Sequence, residues 1–154
     1  MKSSFQKGFT LLELSIVLAI LTVLLVIVLS TFISFRKNQA LQNDTDTIVE
    51  VLSQARSQTL LSQNSSQYGV HLTSSKATLF VGTVYDSSSS SNKDFNLTPT
   101  DTIVTISLTG GGVDVIFDKL SGQTSQSGTI VISSPSTSRI KTVTIYKTGI
   151  VETQ

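Results

Sequence analysis

The 154-residue chain predicts an α+β fold, a long N-terminal helix packed on an antiparallel β-sheet, and three features lead to it. From Leu14 to Phe35 there are 22 residues without a charge, a proline or a glycine. Apolar residues then continue at helical spacing to about residue 62, and from Gln67 onward they give way to short β-branched runs separated by turn residues. A helix followed by such strands buries one face of the sheet on the helix and leaves the other wet.

Taken in order, the first element is an anchor. Lys2 and Lys7 precede the apolar run, which is long enough for a helix to cross a hydrocarbon core of roughly 30 Å. The run exceeds the apolar region of a secretory signal, and no small-x-small cleavage site follows it before Arg36-Lys37, so the segment is expected to stay. Positive charge is balanced on its two sides, and the positive-inside rule gives no orientation. Glu13 lies at the mouth of this run, where a carboxylate within the bilayer costs about 2.5–3.5 kcal/mol and calls for a partner. The apolar stretch holds no Lys, Arg or His. Two readings follow: a partner in another molecule, or a shallow carboxylate near the headgroups.

The second element is a spine. Leu41, Ile48, Val51, Leu52, Ala55 and Leu60 share one helical face, with Asn43, Asp44, Asp46 and Gln54 expected to turn away. A helix from Phe9 to Ser62 would extend roughly 80 Å at 1.5 Å per residue. Strands are expected at Tyr68–Leu72, Thr78–Tyr85, Thr102–Leu108, Val113–Phe117, Thr129–Ile132 and Thr142–Val151. Ser74-Ser75, Gly110-Gly111-Gly112, Ser121-Gly122 and Ser134-Pro135-Ser136 punctuate them, and Lys147-Thr148-Gly149 reads as a hairpin turn or bulge. Ser87–Ser91, between Asp86 and Asn92-Lys93-Asp94, reads as a polar loop unable to pack a core.

Composition narrows the function. The 119 residues after Phe35 suffice for one small domain. A net charge of +1 with 14% charged residues gives no global basic field for nucleic acid, and Arg139 and Lys141 are too few to claim one. The absence of cysteine leaves stability to packing and removes thiol chemistry. His71 is the single histidine and fits a local hydrogen bond better than a base or ligand, while Asp114 and Asp118 are a weak calcium candidate. Gly110–Gly112 lacks the Gly-Lys-Ser/Thr of a phosphate loop. Ser34, Ser90 and Ser138 each begin a Ser-x-x-Lys, and Lys147-Thr148-Gly149 matches another element of penicillin-binding enzymes, but Ser-Asp-Asn is missing. The chain is therefore read as non-enzymatic and without a cofactor; the rival from another class is a single-pass anchored Ser/Lys hydrolase. Asn64-Ser65-Ser66 and Asn96-Leu97-Thr98 are glycosylation sequons only in a host equipped to use them.

Gly8-Phe9-Thr10-Leu11-Leu12-Glu13-Leu14 resembles the type III signal of type IV pilins and type II secretion pseudopilins. The resemblance implies a pilin-like fold with residues 1–8 as leader, 9–35 as transmembrane and assembly helix, and 36–154 as extracytoplasmic head. It implies cleavage between Gly8 and Phe9 by a prepilin peptidase, N-methylation of Phe9, and pairing of Glu13 with the N-terminal amine of a neighbouring subunit. Cleavage must come first, because an uncut leader holds the Phe9 nitrogen in a peptide bond. The implied partners are other pilin or pseudopilin subunits, the lipid membrane, an inner-membrane platform protein and an assembly ATPase. The leader would lie in the cytoplasm, and the head outside in a periplasmic or extracellular filament. Many major pilins carry a proline two thirds along the apolar segment, where this chain has Ser30, which tilts it toward a minor subunit or pseudopilin; many pilins of Gram-negative bacteria close a C-terminal loop with a disulfide, and the absence of cysteine leaves the host type open. Ala55-Arg56-Ser57, Tyr68-Gly69-Val70, Ile116-Phe117, Thr144-Ile145 and Gly149-Ile150-Val151 are similar to H-type minor pseudopilins and related minor pilins. A major pilin and a DNA-uptake competence pseudopilin are the alternatives.

Overall fold

A computed structural model describes residues 10–61, 66–135 and 138–154, and it has the expected α+β architecture. Helix α1 runs Leu11–Leu60. No glycine or proline interrupts those residues, and Thr10 caps them by accepting the Glu13 N–H on its hydroxyl at 3.2 Å. The expected end at Ser62 lies outside the described residues. Two compact units divide the chain, Met1–Arg36 and Lys37–Gln154.

Within the second unit the strands are β1 (Tyr68–Leu72), β2 (Lys76–Val81), β3 (Lys93–Asn96), β4 (Thr102–Leu108), β5 (Asp114–Ile116), β6 (Gly128–Ser134), β7 (Arg139–Ile145) and β8 (Val151–Thr153). They divide into two four-stranded sheets, ordered β3-β2-β1-β5 and β4-β6-β7-β8, with every pairing antiparallel. One apolar cluster unites them with the helix: Ile48, Leu52 and Ala55 of α1 with Val70, Leu72, Val115, Ile130, Ile132, Val143 and Ile145. On β6 the alternation is clean, with Ile130 and Ile132 buried and Val131 between them half-exposed.

Several local expectations need correction. The run over Thr142–Val151 is two strands, β7 and β8, and of the two readings of Lys147-Thr148-Gly149 the hairpin turn holds, closed by the Tyr146 N–H to the Ile150 carbonyl and the Gly149 N–H to the Tyr146 carbonyl. The run Thr78–Tyr85 stops being strand at Val81, because Gly82 adopts φ +118° and turns the chain. Tyr85 thereby stacks on His71, ring centroids 3.9 Å apart, and meets the edge of Phe80 at 5.6 Å. Strand β3 was not expected: Lys93-Asp94 reads as loop by composition, yet the Asp94 carboxylate takes the Lys76 ammonium and the Thr78 hydroxyl, each at 2.6 Å, across the pairing with β2. Asp44, expected to face away, is buried on the core side of α1, three residues from Leu41 and four from Ile48.

Candidate functional site

The N-terminal site begins with the way α1 starts. Thr10 and Glu13 stand in the Thr-x-x-Glu spacing of a capping box, and the bond from the Glu13 N–H to the Thr10 hydroxyl fixes the first turn. Glu13 is thereby the third helical residue, where its negative charge complements the positive end of the helix dipole. Its side chain is exposed, and no ion pair reaches it among the described residues. The sequence reading singled out Glu13 and missed the part played by Thr10; the spacing to Glu13 was the available signal. Gly8 and Phe9 lie outside the described residues.

From Leu14 to Phe35 the large apolar side chains are 44–64% exposed. A surface of that kind fits lipid or another helix rather than water. The hydroxyls in the run are satisfied by the helix itself: Ser15 donates to the Leu12 carbonyl at 2.8 Å, Thr22 to Ala19 at 2.8 Å, Ser30 to Val26 at 2.9 Å, Thr31 to Ile27 at 3.1 Å and Ser34 to Ser30 at 3.2 Å. Within a bilayer these internal bonds remove the cost of an unpaired hydroxyl. At Ser30 the helix is unbroken, whereas a proline there would forfeit its own N–H bond to Val26.

On the head, Arg56 of α1 donates from Nε to the Gly122 carbonyl at 3.1 Å. The loop carrying Gly122 is tied in turn to the β7–β8 turn by the Thr124 N–H to the Lys147 carbonyl at 3.0 Å. Gly149 sits in the left-handed region at φ +77°, and a Cβ there would collide with the Gly122 carbonyl. Gly69 of β1 faces Phe80 across the register, and a Cβ would meet that ring at 2.5–2.8 Å. Ala55-Arg56-Ser57, Tyr68-Gly69-Val70 and Gly149-Ile150-Val151 therefore share a structural part: they knit helix, loop and hairpin together.

Each of the enzymatic candidates has a local structural setting. Ser34 spends its hydroxyl on the helix, Ser138 stands beside β7 at φ +53°, and Lys147-Thr148-Gly149 forms the β7–β8 turn. Ser90 and Lys93 line a shallow cavity of about 330 Å³ with Gln58, Tyr68 and Leu79, and its lining has neither histidine nor carboxylate. His71 Nδ1 is hydrogen-bonded to Asp114 Oδ1 at 2.6 Å, which gives the single histidine a local partner and engages one of the two calcium-candidate carboxylates. No group of three or more His, Asp or Glu gathers to hold a metal among the described residues. The serine loop is organised by Asp86, whose carboxylate accepts the Ser88 N–H at 2.9 Å and hydroxyl at 2.7 Å, and whose carbonyl accepts from Asn92 at 2.8 Å.

Residues 3–29 match the prokaryotic N-terminal methylation motif. The match covers the segment with Gly8, Phe9, Thr10 and Glu13 and most of the apolar run. No curated protein and no solved structure matches the chain.

Proposed function

We propose, from an N-terminal segment of the type IV pilin and pseudopilin kind, that this chain is a membrane-anchored structural subunit of a helical filament, made as a precursor and released by prepilin peptidase. The observation that carries the reading is the methylation motif, with Glu13 as its acidic residue, running directly into the uncharged apolar stretch Leu14–Phe35. In this reading residues 1–8 are the leader, the bond between Gly8 and Phe9 is cut, and the Phe9 amine is methylated. Residues 9–35 hold the subunit in the bilayer and then in the filament, with 36–154 as the outer head. Glu13 pairs with the Phe9 amine of a neighbour. Opposite charges in a low-dielectric bundle attract strongly while either alone is costly to desolvate, so the pair sets axial register more than it adds net stability. A platform protein and an assembly ATPase complete the machinery, and the absence of proline in the apolar run favours a minor subunit or pseudopilin.

The test is intact mass of the protein purified from its host's membranes. The expected species is residues 9–154 carrying one methyl group, and Gly8→Glu leaves the full precursor instead. An intact Met1 chain in the wild type would reduce the protein to an ordinary anchored one.

A further inference from the structure

Two carboxyl groups meet inside the head. Asp44 on α1 is 7% exposed and Asp101, just before β4, is 5% exposed. Asp44 accepts the Thr98 N–H on Oδ2 at 2.8 Å and the Thr98 hydroxyl on Oδ1 at 3.2 Å. Asp101 accepts the Thr100 hydroxyl on Oδ1 at 3.3 Å, while its Oδ2 is buried with no donor among the described residues. Thr98 links the two: it donates to Asp44, and its carbonyl accepts the Asp101 N–H at 2.9 Å, so both buried carboxyl groups are gathered around one residue. Two ionised carboxylates are acceptors only and repel; one proton between them supplies the missing donor and removes a charge.

We propose that Asp44 keeps its proton and offers it to the buried Asp101 carboxylate, a clasp that fastens the β3–β4 connection to α1 and weakens as rising pH removes the proton. The connection is also held by the Leu97 N–H to the Ser75 carbonyl and by the Ile103 N–H and the Thr102 hydroxyl to the Ser74 carbonyl, each at 2.9 Å, with Leu97 buried in the apolar cluster. Its middle, Thr98 to Asp101, meets the helix through Asp44. Burial holds the Asp44 carboxyl above its ordinary range, the Thr98 bonds oppose that, and the Asp101 side chain and charge reinforce it. Asp101 is the one charged group acting on Asp44 among the described residues. A carboxyl raised in the folded state contributes stability that is fully present below its unfolded value and is lost as pH climbs through the folded value. Asp86, held low by Ser88, and Asp94, held low by Lys76 and Thr78, act in the opposite sense and only at the acid end.

The experiment is thermal unfolding of the full chain in a nonionic detergent, followed by circular dichroism from about pH 4 to pH 7.5. The wild-type midpoint is expected to fall across this window by about 3–6 °C, the scale of a modest stability change in a head of this size. Asp101→Asn presents an amide donor to Asp44 while still accepting from Thr100, so it should flatten the slope and melt at least as high as wild type at neutral pH. Asp44→Asn should do the same, donating to Asp101 and keeping the Thr98 N–H. A flat or rising wild-type profile, or an Asp101→Asn variant that keeps the wild-type slope, would overturn the proposal. So would a wild-type midpoint raised by millimolar calcium and unchanged by it in Asp101→Asn, since the pair would then hold a cation in place of a proton.

Discussion

In the proposed reading one side chain, Glu13, serves a precursor and an assembly differently. As the third residue of α1, with its N–H held by the Thr10 hydroxyl, it places its carboxylate at the positive end of the helix dipole, which makes its charge tolerable at the mouth of an apolar segment before any partner arrives. In a filament the same carboxylate would meet an amine that exists only after cleavage. Glu13→Ala is therefore expected to leave cleavage and membrane insertion intact and to lower incorporation into sheared filaments at least tenfold, read by immunoblot of filament and membrane fractions. Incorporation at the wild-type level would remove Glu13 from assembly. At Gly149 the constraint is backbone geometry: Gly149→Ala adds left-handed strain and a collision with the Gly122 carbonyl. It should cost about 1–3 kcal/mol in urea unfolding, and a variant as stable as wild type would contradict the arrangement of the Arg56 knot.

At the scale of elements, α1 is two kinds of helix written in one run. Its first half exposes apolar side chains on every side, as a segment bound for lipid or other helices must, and its second half buries a stripe from Leu41 to Thr59. Leu52 lies fully buried in that stripe, and Leu52→Ala should cost about 2–5 kcal/mol of head stability with insertion unaffected, measured by thermal or denaturant unfolding. The strands β1, β4 and β6 were legible because β-branched residues alternate or cluster between clear turns. Strand β3 was not, because its Lys93 and Asp94 are polar and gain strand structure only by pairing with β2. The break after Val81 was equally hidden: the apolar pattern runs on to Tyr85, and what ends the strand is the φ of Gly82 together with the stacking of Tyr85 on His71.

For the whole molecule, the division at Arg36 has a practical consequence. Residues 37–154 contain the entire apolar cluster, so a chain starting at Lys37 is expected to be soluble without detergent and to keep a cooperative thermal transition; aggregation without a transition would show that the head depends on the anchor. Composition and periodicity by themselves determined the α+β class, the membrane-length apolar segment and the amphipathic spine, and resemblance to a known signal marked Gly8, Phe9 and Glu13, because each is a local property of consecutive residues. Only the tertiary structure decided that the strands of the described residues form two sheets, that Asp44 turns inward to meet Thr98, and that Arg56 binds the Gly122 carbonyl. Those partners are 54 residues apart for Asp44 and Thr98 and 66 for Arg56 and Gly122, and a polar side chain reads as solvent-facing until the chain brings it a partner that offsets its burial.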